Sequence, residues 1–225
     1  IHHHFARLAI WDVGTGAIVD CRHPWPPTAE GHDCSCTACV TAASHASGQF
    51  TIQDAVNQVS QTGGTVCLGP GQYALTQAVQ LNGTRAVKIR GQGAATLIAA
   101  AGGAFALRNC IAVAIEDLAI LSLGRQPAIS VQTALGVSLR RLLMAVLETG
   151  DNRASAVALQ GIVAGAQIAE NAILASTAIL ANDPTVPRGE GDEQSAFLVA
   201  AALAIEDNLL WCRQRAVALD GNVLH

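Results

Sequence analysis

Lysine is almost missing from this chain: Lys88 is the only one in 225 residues. With a formal charge of -4 at pH 7, the chain has no basic stripe to neutralise phosphates, so nucleic acid is not an expected partner. Aromatic residues make up 4% of the sequence, which leaves little material for the flat, ring-lined cleft that sugars commonly occupy. Long apolar runs are missing too. Stretches such as Phe197 to Ile205 fall far short of the about 20 residues a spanning helix needs, so no membrane segment is expected. Charged residues are only 13% against 51% hydrophobic ones, a balance that excludes a disordered chain and requires a sizeable buried core.

What is present is a repeated strand pattern. Phe105-Ala106-Leu107, Ile129-Ser130-Val131, Val157-Ala158-Leu159, Phe197-Leu198-Val199 and Val217-Ala218-Leu219 each open a unit, and the first four lead to a second apolar strand ending at Ile115, Leu139, Ile168 and Ile205. Short strands recurring every ~20 to 40 residues without intervening helices indicate a solenoid of stacked strands.

Upstream the character differs. Ala6 to Trp11 and Ala17 to Val19, joined by Gly14-Thr15-Gly16, suggest a hairpin. Residues 21 to 48 are rich in proline, cysteine and histidine without periodicity and read as a loop needing an external staple. The boundary falls at residue 48, with the solenoid occupying 49 to 225. Ile52, Ala55, Val56 and Val59 have helical spacing, Thr51 can cap their start, and Gly63-Gly64 stops them.

The segment Thr51 to Val56, followed by Gly63-Gly64-Thr65-Val66-Cys67-Leu68 and Gly69-Pro70-Gly71-Gln72-Tyr73, resembles the opening of the pectate-lyase-like right-handed β-helix superfamily. The resemblance covers about Phe50 to His225. It implies an all-β, right-handed parallel β-helix with a short N-terminal capping helix, preceded here by a cysteine-rich irregular subdomain. A plug is required because an end rung otherwise exposes apolar side chains and unpaired strand edges. No such cap follows Leu219, and the expectation is a fragment of a longer polypeptide, its compartment unknown.

Aligning the second strands puts Arg90, Glu116, Arg140, Ala169 and Glu206 in one column, and Gly91, Asp117, Arg141, Glu170 and Asp207 in the next. With rungs about 4.8 Å apart, Glu116 should face Arg140 and Asp117 face Arg141. The following column runs Leu118, Leu142, Asn171, Asn208, an expected asparagine stack.

Cys34-Ser35-Cys36-Thr37-Ala38-Cys39, with Cys21 upstream and His23, His32 and His45 nearby, is the densest chemical cluster. Thiolates on such a loop provide tetrahedral ligands, so Cys21, Cys34, Cys36 and Cys39 are the expected quartet for a structural Zn²⁺. Disulfides, such as Cys21 to one of the other three, and unpaired thiols are the alternatives, and seven cysteines cannot all pair within one chain. Of the triplet His2-His3-His4, only His2 and His4 would share a face of a strand.

The resemblance brings polysaccharide lyases, with an acidic calcium cluster and a basic proton abstractor, and hydrolases, with aspartates on neighbouring rungs. The acids on successive rungs here are Asp117, Glu170, Glu206 and Asp207, the candidate catalytic set. Arg140 and Arg141 beside them suit a charge ladder better than an acid catalyst. Trp211, with Arg213 and Arg215, either meets an acidic sugar or covers a rung edge. Loops at 148–155 and 182–195 should emerge on one face, the second carrying Asp183, Glu190, Asp192 and Glu193 against Arg188. The expected function is a structural or binding scaffold module of a larger protein, by analogy in a cell-surface or phage-like assembly. The alternative is a polysaccharide lyase or glycoside hydrolase working in a groove along the helix.

Overall fold

A computed structural model describes residues 36–147, 155–181 and 198–219, together with strand residues 10–11, 18–19 and 221–224. Ile10–Trp11 (β1) and Ile18–Val19 (β2) pair antiparallel, Ile10 opposite Val19, which realises the inner part of the expected hairpin. Ala38–Val40 (β3) is followed by a short helix at Ala42–Ala46 (α1) and a longer one at Ile52–Val59 (α2). Sequence reading missed α1.

Helix α2 starts where its chemistry dictates. Thr51 Oγ1 accepts the Asp54 N–H at 3.2 Å while Asp54 Oδ2 accepts the Thr51 N–H at 2.9 Å, a reciprocal cap that satisfies two orphan donors. The bonds from Thr51 hold the Asp54 carboxyl below its ordinary range. Ile52, Ala55, Val56 and Val59 fall on one face and are all buried, closing the first rung.

From there the chain winds. Gly64–Leu68 (β4), Gly71–Leu75 (β5), Val79–Asn82 (β6) and the long Val87–Ala100 (β7) lay down the first turns. Phe105–Ile111 (β8), Ala114–Ser122 (β9), Ile129–Leu135 (β10) and Ser138–Val146 (β11) continue them. Ser155–Ala164 (β12), Gln167–Ala169 (β13), Ala172–Ala181 (β14), Leu198–Ala201 (β15), Ala204–Glu206 (β16), Leu209–Ala218 (β17) and Gly221–Leu224 (β18) complete the described part. The chain is a parallel β-solenoid of about five turns. Its order β3-β4-β7-β9-β11-β14-β12-β10-β8-β6 shows the backbone passing repeatedly around one core.

The interior is aliphatic and in register. Ile89, Ile115, Leu139, Ile168 and Ile205 stack as direct partners down one column, the first four buried, so the alignment of second strands holds. The alignment of first strands holds only in part. Phe105, Ile129 and Val157 stack as expected, but the next rung places Ile179 opposite Val157, followed by Val217. Val199 instead pairs with Ile162, further along β12. The cause is β14, which runs through the corner without a loop and brings its own C-terminal half into the column. Phe197 itself lies outside the described residues.

Candidate functional site

Four charged residues occupy the same corner of successive rungs. Asp117, Arg141, Glu170 and Asp207 have φ of 56°, 53°, 59° and 54°, left-handed values that cost a side-chain-bearing residue about 1 kcal/mol each. This backbone bend throws their side chains outward beside the column of Arg90, Glu116, Arg140 and Glu206.

The result is a ladder of opposite charges that meet from Lys88 to Glu170. Arg141 Nε lies 2.7 Å from Asp117 Oδ1, and its Nη2 lies 2.8 Å from Oδ2 and 3.1 Å from Glu116 Oε2. Lys88 Nζ reaches the other Glu116 oxygen at 3.1 Å, and Arg90 Nε stands 3.8 Å from Asp117 Oδ2. Arg140 donates to Glu170 Oε1 at 2.5 Å. The bond to Asp117, reinforced by the charges of Asp117, Glu116 and Glu170, holds the Arg141 guanidinium protonated even above its ordinary range.

Of the candidate catalytic acids, Asp117 and Glu170 are thus bound to guanidinium groups, an arrangement that favours the ionised carboxylate. Glu206 accepts from Gln167 Nε2 at 3.0 Å, and Asp207 is exposed one rung on. The asparagine stack is present as expected. Asn171 Oδ1 accepts the Leu142 N–H at 2.9 Å, its Nδ2 donates to Leu139 O at 3.0 Å and to Asn208 Oδ1 at 2.9 Å, and Asn208 Nδ2 donates to Ile168 O at 2.7 Å.

Next to the ladder is a surface that sequence reading missed. The outward positions of β7, β9, β11, β14 and β17 form two columns in strict register. One reads Leu97, Ala119, Leu143, Ala172, Leu209; the other reads Ala99, Leu121, Ala145, Leu174, Trp211. Large and small residues alternate along and across the sheet over the first four rungs, the fifth carries Leu209 and Trp211 side by side, and no ionisable group interrupts the columns. Leu143 is 40% exposed, Leu174 47%, Leu209 50% and Trp211 56%. Trp211 therefore belongs to an apolar face, while Arg213 and Arg215 lie exposed further along β17. The signal was present in the sequence as Leu-x-Ala and Ala-x-Leu pairs in successive strands, legible only once the rungs are aligned.

One member of the cysteine cluster is tied to a strand outside it. Cys36 is bonded to Cys67, 31 residues away, with the Cα atoms 5.7 Å apart. Spacing conceals this partner because β3 and β4, separated by two helices, are adjacent parallel strands. A sulfur in a disulfide has no thiolate to offer a metal, so the quartet Cys21, Cys34, Cys36 and Cys39 cannot assemble while this bond is closed. Cys21 and Cys34, His2 to His4, His23, His32, and the acidic loop residues with Arg188 lie outside the described residues. His45 serves structure: its Nε2 bonds Ala74 O at 3.2 Å and its Nδ1 accepts the Ile52 N–H at 3.3 Å. Among the described residues Cys39, Cys110 and Cys212 are free thiols, and burial pushes Cys110 and Cys212 up from their ordinary range.

No protein-family model and no curated protein matches the chain. Two solved structures are similar in architecture. One is named a "putative glycosyl hydrolase" from Parabacteroides merdae, with a TM-score of 0.48 and 13% identity, covering 76% of this chain and 97% of that one. The other is ORF18 of Geobacillus virus E2, with a TM-score of 0.34 and 12% identity, covering 82% of this chain and 50% of that one. Both are likenesses of fold, and neither carries an activity to this chain.

Proposed function

We propose that this chain is a structural scaffold module that docks through the outer face of β7, β9, β11, β14 and β17 onto a second copy of itself. The observation that supports the reading most is the alternation of leucine and alanine on that face. A two-fold axis running along the stack between the two columns sets Leu97 against the partner's Ala99, Ala119 against the partner's Leu121, Leu143 against the partner's Ala145, and Ala172 against the partner's Leu174. Over these four rungs every large side chain meets a small one, which is how packed sheets interdigitate and how an isologous contact is self-complementary.

Area sets the strength. Five strands about 4.8 Å apart and two outward positions per strand give roughly 350 Å² per copy, below the ~800 Å² of a standard interface. The face is the apolar centre of a contact whose polar rim is the charge ladder, so association is reversible and concentration-dependent. The acids bound to arginine favour this reading over sugar cleavage, which needs one protonated carboxyl. The mass of the protein in solution, and its change in Leu143→Glu, test the reading. Turnover of an acidic polysaccharide, abolished by Asp117→Asn or Asp207→Asn, would overturn it.

A further inference from the structure

We infer that Cys39, Cys67 and Cys36 form an internal thiol–disulfide relay in which Cys67 exchanges one partner for the other. Cys39 and Cys67 are direct register partners on adjacent parallel strands. Both point outward, since Ala38 and Val40 on one side and Val66 and Leu68 on the other are buried. Parallel partners sit about 4.8 Å apart at Cα, and a disulfide accepts Cα separations of about 4.4 to 6.8 Å. The observed Cys36 to Cys67 separation of 5.7 Å also lies in that range, so the backbone accommodates either bond.

The backbone around the relay is held in place without the bond. The Thr37 N–H donates to Thr65 O at 2.8 Å, and Thr37 Oγ1 accepts the Thr65 N–H at 3.1 Å. Exchange therefore need not disturb the first rung. The chain bends at Thr37, which brings Cys36 toward Cys67, the register partner of Cys39.

The step balances without an outside oxidant. Cys39 loses its proton to water, its thiolate attacks Cys67 Sγ, the Cys67–Cys36 bond breaks, and Cys36 leaves as a thiolate that is then protonated. One disulfide and one thiol exist before and after. The cross-link to the rung moves three residues along the chain, and a thiol appears at Cys36, two residues from Cys34.

The test uses the full chain carrying Cys21→Ser and Cys34→Ser, so that no N-terminal thiol competes. Protein is held at about pH 8.5, quenched in acid and alkylated with N-ethylmaleimide. Tandem mass spectrometry then locates the label. The relay predicts label on Cys36 as well as Cys39, increasing with time, and about a tenfold or greater loss of Cys36 label in Cys39→Ser or Cys39→Ala. Label on Cys39 alone at all times, or Cys36 label unaffected by replacing Cys39, overturns the proposal. Neither result bears on the docking face, which lies on other strands.

Discussion

Arg141 grips Asp117 across one rung of the coil, its Nε 2.7 Å from Oδ1 and its Nη2 2.8 Å from Oδ2. The pair is a two-point, charge-assisted contact between side chains that are each 21% exposed, so it should contribute more than a surface ion pair. Asp117→Asn removes the charge while keeping a residue that tolerates the left-handed corner. The expected cost is about 1 to 2 kcal/mol in chemical denaturation. No loss would mean the ladder is decoration.

A larger loss is expected at Asn171, which is 2% exposed and bonds backbone groups of the preceding rung through both ends of its amide. Asn171→Leu copies the leucines of the two earlier rungs, yet it leaves the Leu142 N–H and the Leu139 carbonyl without these partners. Destabilisation of about 2 to 3 kcal/mol is predicted from urea midpoints, despite the gain in apolar volume. A neutral or stabilising outcome would show that the rung relaxes around leucine, as its predecessors do.

Tyr73 links the first rung to pH. Its hydroxyl donates to Val40 O and Gly69 O, both at 2.9 Å, and burial pushes its pKa up from 10.0 to about 12. Below pH 10 the phenol is neutral whether the chain is folded or unfolded, so its contribution to stability does not change with pH. Between about 10 and 12 the unfolded chain ionises first, so stability falls as pH rises, by up to ~1.4 kcal/mol per unit. Tyr73→Phe should cost about 1 kcal/mol at neutral pH and flatten that alkaline decline. An unchanged slope between pH 9 and pH 11 in denaturant titrations would remove Tyr73 as its source.

The axial repeat was legible in the sequence because each second strand carries its aliphatic, charged and asparagine positions in the same order. Glu116 opposite Arg140 and Asn171 beneath Asn208 followed from alignment alone. Two features were not legible. The Leu198–Ala201 register depends on β14 running through a corner, which no turn residue announces. The Cys36–Cys67 bond depends on β3 lying beside β4, a contact produced by two intervening helices. The alternating Leu and Ala face lay between these cases: its residues were visible, but its pattern exists only across rungs.

Zinc remains a proposal for the reduced chain. With Cys36–Cys67 closed, metal analysis should find no stoichiometric zinc. After reduction, about one equivalent should bind through Cys21, Cys34, Cys36 and Cys39, and Cys36→Ser should abolish it. Stoichiometric zinc in the oxidised protein would contradict this ligand set.

The docking face is tested most directly by sedimentation equilibrium from about 1 μM to about 1 mM. Self-association through the Leu and Ala columns predicts that the average mass climbs from the 23.1 kDa of one chain toward twice that value, and that Leu143→Glu or Leu174→Glu, folded by circular dichroism, stays at 23.1 kDa throughout. A parent chain that remains monomeric across the range, or variants that dimerise as well as the parent, would contradict the account.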